Sequence, residues 1–157
     1  MGEPASIRAF TPDDYQQVVA LWRESGLTIK HSDTLPELKK LLALAGTVFL
    51  VAEADSPEKP PPQIVGTVIG AWDGRRAWIY HLAVKPLARR ARIGSELMKT
   101  VEQSLRHRGA TKINLLVEPA NRDAAAFYRA LGYSHQPLEF FSKTFEPREA
   151  SRNSSSP

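Results

Sequence analysis

A chain of 157 residues with 42% hydrophobic and 24% charged content fits a soluble globular protein with one core. Lys and Arg exceed Asp and Glu by 21 to 17, a surplus that favours anionic ligands but falls short of an extended nucleic-acid surface. The absence of cysteine excludes a disulfide scaffold, a thiolate nucleophile and a cysteine-ligated metal.

Ile7 to Phe10 reads as a short opening strand. Thr11 is a helix-capping candidate, followed by Pro12 and by acidic Asp13 and Asp14 in the first turn. Tyr15, Val18, Val19 and Trp22 recur at helical spacing, and Gly26 ends that helix. A second helix is expected over Leu35 to Leu44. Strands follow at Thr47–Glu53 and Ile64–Trp72, separated by a proline-rich connection that cannot continue either. Asp73-Gly74 is a tight-turn signal before a strand at Ala77–Val84, which Pro86 stops.

Ile93, Leu97, Val101 and Leu105 lie on one face of a helix running to Arg108. Lys112–Val117 reads as a largely buried strand, and Arg122–Leu131 as a helix closed by Gly132. A last strand is expected at Phe140–Phe145, with a further short one near Tyr133-Ser134-His135. Residues 5–146 are expected to form one domain, and the polar, Ser-rich 147–157 a disordered tail. The order β-α-α-β-β-β-α-β-α-β is a mixed α/β layer, α+β in some schemes. It carries no Gly-x-Gly-x-x-Gly after a strand and no Walker A loop.

The stretch from Val84 to Ser95 concentrates the chemistry. A strand runs into a loop bearing Lys85, Arg89, Arg90 and Arg92, and then a helix starts. N–H groups at a helix start lack intrahelical partners and point toward any bound anion, so this reads as a phosphate-binding turn. His31, His81, His107 and His135 show no metal-ligand spacing, and no metal is expected. No apolar run is long enough to cross a membrane and no signal peptide is evident, so a cytoplasmic location is expected.

Three motifs in this order resemble the GNAT superfamily of acyl-CoA N-acetyltransferases, over Ile7 to Phe145. They are Leu82-Ala83-Val84-Lys85-Pro86, the turn from Arg89 to Gly94, and Asn121 to Tyr128 with Leu131-Gly132-Tyr133 after it. The match is closest to small bacterial members. The resemblance implies a central mixed, twisted sheet flanked by helices, with acetyl-CoA as acyl donor and an amine as acceptor. It implies that backbone amides of Arg89, Arg90, Ala91, Arg92, Ile93, Gly94 and Ser95 cradle the CoA pyrophosphate. It assigns the pantetheine arm to Leu82, Ala83 and Val84, a cofactor contact to Asn121, and a place beside the CoA sulfur to the Tyr128 phenol.

This chain departs from the family pattern at three places. Arg92 stands where the pattern has a glycine. Either it sits in an ordinary helical conformation with its guanidinium outward, or it crowds the pyrophosphate. The two glutamates that serve as bases in other members are replaced by Trp78 and Leu116. Deprotonation of the amine then falls to Tyr80, His81, Asn114 or Glu118, with water. Tyr80 and His81 are adjacent on a strand, so alternation puts one of them toward the acceptor and one away.

The resemblance implies that acceptor groups come from the first two helices and their loop, about Trp22 to Leu38, which offers Glu24, Lys30, His31, Asp33 and Glu37. The competing reading is a CoA-binding regulatory protein with little catalysis. Both a monomer and a homodimer stay open, and a nucleic-acid role is not favoured.

Overall fold

The computed structural model describes residues 5–55 and 60–146, so the expected disordered tail lies outside the described residues. The chain divides into two compact units, the first ending at Asn121 and the second starting at Arg122.

The first unit holds a five-stranded sheet in simple chain order: β1 (Ser6–Ala9), β2 (Thr47–Ala54), β3 (Gln63–Trp72), β4 (Ala77–Val84) and β5 (Ile113–Asn114). The β1–β2, β2–β3 and β3–β4 pairs are antiparallel. Between β1 and β2 lie α1 (Tyr15–Glu24) and α2 (Leu35–Leu42). The β4–β5 pair is parallel and needs a crossover, which α3 (Ile93–His107) supplies. Asp73 closes the β3–β4 turn as its sequence signal indicated, accepting the N–H groups of Arg75 and Arg76 at 2.7 Å each.

Strand alternation divides the core between two faces. Phe49 and Val51 of β2 pack with Phe10, Val18, Leu21, Trp22 and Leu38. The Phe10 and Phe49 rings stack at 4.1 Å, with Trp22 and Phe49 at 6.1 Å. The opposite face receives α3 through the expected stripe of Ile93, Leu97, Val101 and Leu105, all buried. Close approach there depends on β3 glycines. A Cβ on Gly66 would stand 2.9 Å from Leu97 Cδ1, and one on Gly70 would stand 2.7 Å from Val101 Cγ2. These glycines set the depth of α3, and therefore the place where its first turn begins.

A charge cluster ties the first strand to the start of α1. Arg8 clamps the buried Asp14 carboxylate with bonds of 2.7 and 2.8 Å and also reaches Glu53. Thr11 is the N-cap of a 3-10 turn, Pro12–Asp14, that leads into α1, as its position indicated, and the Asp14 carboxylate accepts both the Thr11 N–H and its Oγ1–H. The Arg8 bond, above all, holds the Asp14 carboxyl below its ordinary value.

Four expected elements differ. The strand expected at Lys112–Val117 is confined to Ile113–Asn114, because β4 offers pairing partners only at Ala77 and Trp78. Beyond them β5 has no ladder to join, and Leu116 is exposed. The expected second helix ends at Leu42 rather than Leu44. In the second unit, α4 (Arg122–Ala130) forms as read, but neither Phe140–Phe145 nor Tyr133-Ser134-His135 forms a strand. Phe140, Phe141 and Phe145 are exposed, and a strand pattern without a hydrogen-bonded neighbour does not make a strand.

Replacing Gly70 with Val should destabilise the fold by about 1–3 kcal/mol through overpacking against Val101 and Leu105. Urea unfolding should show a lower midpoint with an unchanged slope. Because the Asp14 pKa is depressed in the folded state, its contribution is present above the unfolded value and is lost as pH falls through the folded one. Stability should therefore drop below about pH 4. Arg8→Ala should be less stable at neutral pH and lose less on acidification, as urea melts between about pH 3 and 7 would record.

Candidate functional site

Strand β4 carries the site. It is paired with β3 along its length but with β5 only at its first two residues. From Ile79 to Val84 its outer edge is a row of backbone groups with no strand beside it among the described residues. Lys85 donates its N–H to Val65 O on β3 at 2.8 Å. Alternation then turns the N–H and C=O groups of Val84 and Leu82 to the outer edge. Ala83, between them, buries its side chain in the α1 face of the core. Val84 O accepts Arg89 Nε–H at 3.3 Å, which folds the basic turn back on the strand end.

The turn follows a short 3-10 helix, Pro86–Ala88. Arg89, Arg90, Ala91 and Arg92 are exposed, whereas Ile93 buries its side chain and leaves only its backbone to the turn. Glu96 N–H bonds to Arg92 O, so α3 begins at Ile93 with Arg92 at its N-cap and no side chain capping it. The N–H groups of Ile93, Gly94 and Ser95 are the orphan donors of this helix start. The macrodipole adds positive potential at the same end.

Arg92 adopts φ 58° and ψ 13°, the left-handed region. The ordinary helical conformation considered from sequence is therefore not the one it takes. The turn keeps the backbone path for which glycine is suited, and a side chain there costs about 1–2 kcal/mol. The exposed Arg92 side chain adds a cation to the same turn.

A second unusual backbone point lies in the middle of β4. Val68 of β3 stands opposite an extra residue, giving a β-bulge between the Ile69–Tyr80 and Thr67–Ala83 pairs. His81 within it has φ 48°. The bulge cancels the alternation expected for Tyr80 and His81. Tyr80 pairs with Ile69, whose side chain lies on the α1 face, and the His81 ring meets Trp22 of α1 edge-on at 4.5 Å. Both side chains therefore occupy the α1 face, where simple alternation had separated them.

His81 is held at several points. Its Nε2 lies 2.8 Å from Asp33 Oδ1, and Asp33 Oδ2 accepts the Lys30 N–H at 2.8 Å. Its carbonyl accepts from Thr67 Oγ1 at 3.0 Å, and that hydroxyl accepts Trp22 Nε1–H at 2.9 Å. Asp33 is 4% exposed and lies in a 3-10 turn, His31–Asp33, between α1 and α2. Sequence reading placed Asp33 in the acceptor region without its partner. The pair spans 48 positions, so no local spacing signals it.

The tyrosines titrate high. Burial first, then the negative charge of Asp73, raise the Tyr80 phenol. Burial pushes Tyr128 up to about 12. Both stay protonated near neutral pH, which suits a proton donor and not a base. In the second unit, the Tyr128 ring packs edge-to-face on Phe127 and Tyr133 at 5.2 and 5.7 Å. Asn121 closes the first unit with its N–H on Glu118 O at 2.9 Å. Trp78 is half-buried and Leu116 exposed, and neither side chain carries a carboxylate. Among the described residues no group of three His, Asp or Glu side chains could hold a metal ion.

A strand paired on one side only after Trp78, a bulge within it and an uncapped basic helix start after it thus meet in one mixed α/β sheet. Residues 15–133 match the model of the acetyltransferase (GNAT) family, and the chain belongs to that family. The fold is similar to a PaiA N-acetyltransferase of Thermoplasma acidophilum solved with coenzyme A, at TM-score 0.74 and 20% identity, covering 86% of this chain and 92% of that one. It is also similar to glucosamine-6-phosphate N-acetyltransferase of Arabidopsis thaliana, at TM-score 0.70 and 20% identity, covering 92% of this chain and 100% of that one. A transcriptional regulator of Bacillus halodurans C-125 shares the fold at TM-score 0.66 and 24% identity, covering 88% of this chain and 99% of that one.

Arg92→Gly should raise stability by about 0.5–1 kcal/mol, the left-handed penalty removed less the entropy glycine loses on folding. Thermal melts of the two proteins would measure it, and an equal or lower midpoint would contradict a strained Arg92.

Proposed function

We propose that the protein is an N-acetyltransferase that moves the acetyl group of acetyl-CoA to a primary amine of a small molecule or protein. The observation that carries the reading is the outer edge of β4, which has no strand beside it after Trp78 among the described residues and leads directly into the uncapped N-terminus of α3. An extended, amide-bearing pantetheine arm can add to Leu82 and Val84 as a strand would, while its pyrophosphate meets the N–H groups of Ile93, Gly94 and Ser95. Lys85, Arg89, Arg90 and Arg92 supply the cations for the remaining phosphate charge. Ala91 supplies only backbone, and Asn121 is assigned to the cofactor arm by its position in the motif.

Acetyl transfer needs alignment, a deprotonated amine, a polarised carbonyl and an exit for the thiolate. A backbone N–H of the β4 edge is suited to polarise the thioester oxygen. By its place in the family motif alone, Tyr128, whose phenol burial keeps protonated, is the proposed proton donor to the departing sulfur. His81 is the proposed base, because its imidazole is held by Asp33 at 2.8 Å and by the Trp22 ring, whereas the Tyr80 phenol is raised and stays protonated. Tyr80 is then a wall of the acceptor side. The atoms balance: the amine nitrogen bonds to the carbonyl carbon, the carbon–sulfur bond breaks, His81 takes the amine proton, and sulfur is protonated.

The alternative is a CoA-binding regulatory protein of this fold. It is favoured by the side chain at position 92 and by the missing carboxylates at Trp78 and Leu116. The held imidazole of His81 weighs for catalysis.

Native mass spectrometry of the freshly purified protein should show retained CoA or acetyl-CoA, and an amine panel should drive release of CoA thiol. Tyr128→Phe should keep the retained ligand and slow transfer on the order of 10²-fold. Tight CoA binding without turnover on any amine would favour the regulatory alternative. Absence of both would remove the CoA reading.

A further inference from the structure

Resting on the acetyltransferase reading, we propose that Asp33 is the positioning residue of His81: it holds the proton on Nε2, so that Nδ1 keeps the lone pair that takes the acceptor's proton. Three observations meet in this assignment. His81 occupies a strained backbone point inside a bulge, and such strain is kept where a side chain must be aimed. The ring is fixed by Trp22, and its own carbonyl by Thr67. Its Nε2 meets a carboxylate oxygen at 2.8 Å.

Burial separates the two roles. The Asp33 side chain is 6% exposed and that of His81 25%, so the imidazole is accessible while its partner is shielded. A carboxylate only accepts, and the hydrogen bond made by one ring nitrogen decides the state of the other. Asp33 already accepts the Lys30 N–H with its second oxygen, which fixes the plane of the carboxylate. The pair also anchors the connection between α1 and α2 to β4, so the segment expected to meet the acceptor is tied to the base itself.

The groups that hold the pair carry no charge of their own. Thr67 of β3 and Trp22 of α1, which hold the carbonyl and the ring, are uncharged. Tyr80 stands beside His81 on β4 with a raised phenol. On the α1–α2 connection, Lys30 contributes its backbone, and His31 lies 3.9 Å from Glu37 of α2, itself paired with Lys40.

The substitution Asp33→Asn makes a sharp test. Its single amide oxygen must serve the Lys30 N–H, which turns the amide NH2 toward His81. Nε2 then becomes an acceptor, and the proton moves to Nδ1. Nitrogen-15 NMR of the imidazole should report the Nε2–H tautomer in the native protein and the Nδ1–H tautomer in Asp33→Asn. Turnover should fall about 10²-fold or more, with KM for acetyl-CoA unchanged and the acid limb of the kcat profile lost. The double variant with His81→Ala should lose no more than His81→Ala alone.

An Nδ1–H tautomer in the native protein would overturn the proposal without reference to activity. So would a native pH profile in Asp33→Asn. Asp33→Ala, which removes both bonds, should also slow turnover, and native turnover there would count equally against it. No transfer to any amine by the native protein would overturn the acetyltransferase reading together with this one. Transfer with unchanged Asp33→Asn kinetics would overturn this one alone.

Discussion

The hydrogen-bonded ladder between β3 and β4 is the constraint on which the other features rest. It holds β4 along its full length from one side, so the other side is released from β5 after Trp78 without loss of the strand. Lys85 N–H on Val65 O closes the ladder and decides which backbone groups turn outward. The same ladder contains the bulge that re-aims His81. Edge, turn and imidazole are thus consequences of one strand pair, with β3 serving as the rigid partner of a strand whose far edge has no strand beside it after Trp78 among the described residues.

Support for β3 comes from both faces. On one, α3 lies close because Gly66 and Gly70 leave room for Leu97 and Val101. That depth fixes where α3 starts and hence where its orphan N–H groups stand. On the other, Trp22 fills the core against Phe49 while its indole N–H reaches Thr67. A single core residue therefore serves packing and also steadies the His81 carbonyl through a hydroxyl. Stability and site geometry share the same side chains here, which is why large replacements at Trp22 would disturb both.

Much of the fold was legible because its signals are local. The stripe from Ile93 to Leu105, the Asp73-Gly74 turn and the strand at Ala77–Val84 follow from periodicity and turn chemistry, and the structure has all of them. The short motifs also pointed to the basic turn. What failed was strand pattern without a partner. Phe140–Phe145 has the composition of a strand, but pairing is a property of two segments and composition describes only one. The Lys112–Val117 strand was cut short for the same reason, since β4 pairs with it only at Ala77 and Trp78.

At the site, the sequence by itself determined the chemical inventory: a cationic loop before a helix, a histidine and a tyrosine on the preceding strand, and no cysteine or metal-ligand spacing. Only the tertiary structure decided how these groups are arranged. A one-residue bulge put Tyr80 and His81 on the same face, against the period of two that any strand reading assumes. A contact across 48 positions joined His81 to Asp33. Arg92 took a left-handed conformation because the geometry of the turn outweighs the preference of one side chain. Local preference is written in neighbouring residues, whereas register, bulges and long-range hydrogen bonds are settled by the packing of the whole sheet.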